Sequence, residues 1–196
     1  MEIVFSETQK EEKKRGKKIF SSKMKLKIFL SIPRLASAFS DLSFREQTRM
    51  KIGEALLQVL LVQGDAIVQH MTPVVLNAVL GGARDSNNAG VRSSAISILS
   101  SLLGALPPAF VDTLSIEIST ALIAIIRTDQ DNQVRRACAV CIASLCLILN
   151  RDITTHLSNS QVIASIASSI SVVHGTDSDD IVREHCSTIL SDLDLF

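Results

Sequence analysis

From Leu42 onward, apolar side chains recur at helical spacing in blocks divided by short polar turns. Four blocks open on an arginine and align with one another: "RMKIGEALLQVL" from Arg49, "RSSAISILSSLL" from Arg92, "RRACAVCIASLC" from Arg135 and "REHCSTILSDLD" from Arg183. The steps between them are 43, 43 and 48 residues. Three copies place a valine just before the arginine (Val91, Val134, Val182) and Asn or Asp four before it (Asn88, Asp131, Asp179). The third position after the arginine is Ile52, Ala95, Cys138 or Cys186, so small residues dominate where two helices would approach closely. The seventh is large and apolar throughout: Leu56, Leu99, Ile142 and Leu190. Asp and Asn in the preceding turns are placed to cap these helices, and Asp131 with Arg135, or Asp179 with Arg183, to pair at i, i+4.

Between these blocks lie second helical segments, predicted over Asp65 to Leu80, Pro107 to Arg127, and about Ile153 to Val173. Pro107 and Pro108 suit a first helical turn, where a missing N–H costs nothing. Pro73 should bend or break its segment near Met71. A period of this length, with two helices per unit and D-x-x-V-R opening the second, is the signature of HEAT repeats. It predicts an all-α chain wound as a right-handed α-α superhelix, a HEAT/armadillo-like solenoid of about three to four helix-pair repeats. Seven aromatics, all Phe, agree with helix rather than sheet.

The apolar run Ala137 to Leu149 carries three of the four cysteines. A membrane span needs about 20 apolar residues, and this run is shorter and is bounded by Arg135 and Arg136 on one side and Asn150 to Asp152 on the other. The remaining reading is a helix buried on every face by neighbouring repeats. The last helix has a polar face and is expected to close the array.

A net charge of zero hides a division. Met1 to Lys27 holds nine basic and four acidic residues, the rest of the chain 11 and 16, and the one lysine after Lys27 is Lys51. Residues 1–40 are therefore set apart as a Lys-rich, disordered or atypical N-terminal segment, and 41–196 as the repeat domain. "KEEKKRGKKIF" reads as a solvated charge run, with a nuclear-import signal or an anionic-surface contact as the alternatives. The polar first fifteen residues do not form a secretory signal, and the clustered cysteines do not form a secreted disulfide framework, which points to a reducing compartment.

No catalytic, cofactor-binding or metal-ligating set emerges. Cys138 and Cys141 form a C-x-x-C without a second such pair or a nearby His, and read as small core residues. Cys186 adjoins His185, but neighbours on a helix diverge by about 100°. His70, His156, His174 and His185 are scattered singly. "LGGARD" ends a helix and lacks the Lys and Ser/Thr of a phosphate loop. The expectation is a protein that is not an enzyme and has no cofactor.

Three stretches carry a more specific likeness: "RMKIGEALLQVLLVQGDAI", "LGGARDSNNAGVRSSAISILSSLLGAL" and "IAIIRTDQDNQVRRACAVCIASLCLIL". Over Arg45 to Leu195 the chain resembles the C-terminal region of the HEAT/armadillo-type family required for nuclear transport of RNA polymerase II, also called transport and Golgi organisation protein 6. The shared segments are Lys51 to Leu56, Gly82 to Asp85 and Ala124 to Ala137. Members of that family are much longer than this chain. The resemblance implies a scaffold whose partners are RNA polymerase II subunits or their assembly and import factors, cytoplasmic and shuttling to the nucleus. Its alternative is a peripheral factor in secretion on Golgi membranes, the Lys-rich tail touching anionic lipid.

Arg84, Asp85, Arg127, Asp129, Arg135 and Arg136 are the candidate partner contacts. The competing reading pairs such turn residues with one another to set how repeats stack. A nucleic-acid-binding solenoid would need a basic groove, and the repeat region is net acidic.

Overall fold

Eight helices and no strand make up the residues described by the computed structural model, which are 30–61, 65–150 and 156–194. In chain order they are α1 (30–40), α2 (Glu46–Leu61), α3 (Asp65–Ala83), α4 (Ala89–Ala105), α5 (Pro108–Thr128), α6 (Asn132–Leu149), α7 (His156–Thr176) and α8 (Asp180–Asp194). The four arginine-led blocks are α2, α4, α6 and α8. They lie side by side in that order as one row, while α3, α5 and α7 form a second row behind it. The rows meet where α3 packs on α4, α5 on α6 and α7 on α8.

The repeat register explains the core. Ala95, Cys138 and Cys186, third after their arginines, are fully buried, and so are Leu56, Leu99 and Ile142 at the seventh position. In α8 the inward residue is Ile189, and Leu190 is only partly buried against the core. Small side chains in the first set let adjacent helices close up, and the larger set fills the space between rows.

Several boundaries differ from the expectation. α5 opens with Pro107 as its extended N-cap and Pro108 at the first helical position, as anticipated. α3 runs through Pro73 without a break. Proline removes one hydrogen bond there, but buried Met71, Val75, Leu76 and Val79 hold the segment against its neighbours on both sides of the gap. The expected start of α7 at Ile153 lies outside the described residues, as does the Lys-rich stretch. The boundary drawn after residue 40 falls at the end of α1, a helix that belongs to the core. Ile32, Ala36 and Phe39, at helical spacing, are buried to 1% or less.

Nor is α6 buried on every face. Val140 and Leu147 are nearly half exposed. A helix inside a two-row stack has neighbours at its sides (α4 and α8) and behind (α5 and α7), which leaves one stripe in front open. Both α5 and α6 are long and apolar enough to cross a membrane by length and composition. Each buries 44% of its most apolar window inside the chain.

Phe39 is the wedge that ties α1 to the first helix pair. Gly53 of α2 and Gly82 of α3 lie against its ring, and a methyl at Gly82 would sit 2.5 Å from the Phe39 Cε1. Gly104, near the end of α4, has nothing within 4 Å of the same position. Urea denaturation should therefore separate two identical changes. Gly82→Ala is expected to cost about 1–3 kcal/mol by overpacking, and Gly104→Ala to gain up to about 1 kcal/mol through helix propensity.

Candidate functional site

Each turn that leads into an arginine-bearing helix begins with an aspartate: Asp41, Asp85, Asp129 and Asp177. In every one, Oδ1 accepts from the backbone N–H two residues on, at 2.8 Å for Ser43, 2.9 Å for Asn87, 2.9 Å for Asp131 and 2.8 Å for Asp179. That local bond fixes the turn and aims the free carboxylate oxygen outward along the row. A second aspartate then caps the helix: Asp131 accepts from Gln133 and Val134 of α6, and Asp179 from Val182 of α8. Asn88 makes no side-chain cap to α4, and Asp85 takes the N–H groups of both Asn87 and Asn88 instead.

The arginines join these turns into a series. Arg92 sends Nη1 to the Asp85 carbonyl of its own turn (3.0 Å), and Nε and Nη2 to both carboxylate oxygens of Asp129 in the next (2.7 and 2.9 Å). Arg135 repeats the arrangement one unit on. Its Nη1 reaches the Asp129 and Gln130 carbonyls, and its Nε and Nη2 reach Asp177 at 2.8 and 2.9 Å. Arg49, the most buried, bonds the Phe39 carbonyl through Nε (2.8 Å) and the Asp85 carboxylate through Nη1. Arg136 adds a second fork, to Asp179 at 3.0 and 2.7 Å. Paired donors matched to paired acceptors are the strongest geometry available to these groups.

The protonation states follow. Burial works to raise the Asp85, Asp129 and Asp177 carboxyls, but the arginine at each, with the N–H groups of its own turn, outweighs burial and holds all three below the ordinary 3.8. The Arg136 fork holds Asp179 lower still. The thiols move the other way. Burial pushes Cys141 and Cys146 up to about 12 and Cys186 to about 11, and Cys138 well above its usual range. Cys138 donates its S–H to the Leu122 carbonyl across to α5. Among the described residues no three His, Cys, Asp or Glu side chains gather as metal ligands would.

The six candidate contacts fall into two groups. Asp85, Asp129, Arg135 and Arg136 are engaged inside the chain, each in an ion pair between neighbouring turns. Arg84 and Arg127 are exposed at the C-terminal ends of α3 and α5, on the same edge. The i, i+4 pairing expected of Asp131 with Arg135 does not form, because each is committed elsewhere: Asp131 caps α6 and Arg135 reaches forward to Asp177. Arg183 pairs with Asp180 rather than Asp179. Arg49, Arg92, Asp177 and Asp179 also belong to the series, although none is among the six candidates. Their signal was two interleaved periods, Arg at 43, 43 and 48 and the turn Asp from Asp41 at 44, 44 and 48.

Part of the final unit also has a counterpart among known proteins. Residues 171–194, which span the end of α7, the Asp177–Asp179 turn and α8, match the family model described as "Required for nuclear transport of RNA pol II C-terminus 2".

Two outcomes are expected from the carboxylates. Asp85→Ala strands the Arg49 guanidinium in the interior and should lower stability by about 3–5 kcal/mol in chemical denaturation. Because the folded-state values are lowered, the unfolded chain takes up protons first as pH falls. The stability due to these groups is complete above 3.8 and is lost below it. Acid titration followed by circular dichroism should show that loss, and Asp177→Asn should start less stable at neutral pH and fall less steeply.

Proposed function

We propose that the chain is a non-catalytic, protein-binding scaffold of the HEAT/armadillo kind that acts in nuclear transport of RNA polymerase II, working between cytoplasm and nucleus. The observation that carries the reading is the match over residues 171–194, because it falls on α8 and on the turn before it, the turn that receives both Arg135 and Arg136. The earlier units repeat its turn bond, and Arg49, Arg92 and Arg135 each reach forward from one unit to the turn of the next. A right-handed superhelix of such units offers an extended surface, and association with a protein requires no chemistry from it.

On this reading the binding edge is the one that carries the turns, and its exposed arginines are the first positions to test. Arg84 and Arg127 project there from helix C-termini, where positive charge is favoured. An acidic segment of a polymerase subunit or of its import factor is the fitting partner class. Arg135 and Arg136 are poor probes by comparison, since changing them would break the internal pairs before any partner is involved.

The test is affinity capture from a eukaryotic extract with the full chain and its Arg84→Glu, Arg127→Glu variant, with polymerase II subunits quantified by mass spectrometry. Capture of those subunits by the wild type, weakened at least about tenfold in the variant while its thermal unfolding stays put, is the expected result. Retention of coat or Golgi proteins without polymerase subunits would overturn the reading.

A further inference from the structure

Among the described residues the series of forks leaves two groups without a counterpart. Asp41 is built like the three aspartates that receive an arginine: its turn bond from Ser43 has the same geometry, and that bond is the main reason its carboxyl is lowered. Among the described residues, however, no ion pair reaches Asp41. At the other end, Arg183 sends Nη1 to the Asp177 carbonyl of its own turn at 2.7 Å, as Arg92 and Arg135 do in theirs. Among the described residues no following turn meets it, and its Nη2 folds back onto exposed Asp180 in the same helix. Among the described residues, then, Asp41 is an acceptor without its fork and Arg183 a fork without its acceptor.

We propose that these ends complete each other between two copies of the chain, stacked head to tail, with Arg183 of one copy taking the Asp41 carboxylate of the next. The internal register dictates the rest of the contact. Since Arg49, Arg92 and Arg135 each reach the turn before the next helix of their row, α8 of one copy would lie against α2 of the other, in the relation that α6 has to α8.

The neighbouring positions agree with that placement. Arg136, the residue after Arg135, faces Asp179, which lies two past the next turn aspartate. In the stacked copies this sets Glu184 against Ser43, a carboxylate opposite a hydroxyl. An acid at position 43 would instead repel it. Apolar surface lies beside both halves: Ile181 is 41% exposed two residues before Arg183, and Leu42 is 71% and Phe44 43% exposed next to Asp41. Burying these supplies the non-directional part of the association, and the fork supplies its register. The interface is heterologous, so it builds a ring or an open stack in place of a two-fold dimer, and the species formed should grow with concentration beyond a dimer.

Sedimentation velocity of the full chain across a wide concentration range, at physiological ionic strength, is the test. The wild type should sediment faster as concentration rises. Asp41→Arg and Arg183→Asp should each weaken this by at least about tenfold, with melting curves that show both variants folded. An equimolar mixture should associate again, because the carboxylate introduced by Arg183→Asp in one variant meets the guanidinium introduced by Asp41→Arg in the other. A wild type that stays monomeric at every concentration would overturn the proposal. So would association that neither change affects, or a mixture that fails to recover it.

Discussion

One guanidinium bonded to two turns at once is the constraint on which this architecture rests. A helix pair has no intrinsic reason to sit at a fixed height and rotation against the next pair, because apolar burial between rows of Ala, Ser, Leu and Ile is non-directional. The arginine fork supplies the missing direction. Arg92 is held at one end by its own turn's carbonyl and at the other by both oxygens of Asp129, so translation of either unit breaks at least two bonds. The carboxylate is in turn aimed by a bond inside its own turn. Every part of the contact is therefore positioned locally before the two units meet.

The forks differ in what they contribute. Arg49 and Asp85 are almost fully removed from water, where losing one partner is costly and the pair itself adds little net stability over an apolar substitute. Arg136 is more open, and its fork to Asp179 acts chiefly through geometry. The series thus reads as a device for register more than for stability, with stability left to the packing of Leu56, Leu99 and Ile142 behind it. The buried thiols belong to that packing. With their protons held by burial they act as small apolar residues, and Cys138 links α6 to a carbonyl of α5 as a hydroxyl would.

Much of the architecture was legible because a repeat shows itself by comparison within one chain. The arginine spacing and the positions three and seven beyond it locate α2, α4, α6 and α8, and the small residues Ala95 and Cys138 mark where they touch. Three things stayed hidden. α1 was obscured by the charge run before it, although Ile32, Ala36 and Phe39 stand at helical spacing. The open stripe of α6 at Val140 and Leu147 could not be read from an apolar run, since a helix with neighbours on three sides and one with neighbours all round have similar composition. The partners of the arginines could not be read from proximity, because the nearest acid along the chain was already spent on a helix cap while the true acceptor lay 42 residues ahead. The relevant signal was long-range, in the second period carried by the turn aspartates.

The two edges of the stack are not equivalent in what they tolerate. Between Asp129 and Asp177 the chain is longer than between Asp85 and Asp129. The extra length falls chiefly between Leu149 and His156, where six residues separate α6 from α7, against the two that separate α4 from α5. The Asp177–Asp179 turn keeps the length of the Asp129–Asp131 turn. Lengthening a connection costs little entropy, whereas one residue added to an aspartate turn would rotate a carboxylate away from its fork. Insertions and new loops can accumulate on the edge opposite the forks, leaving the stacking rule intact, so this fold can diversify on one side while the other keeps its spacing.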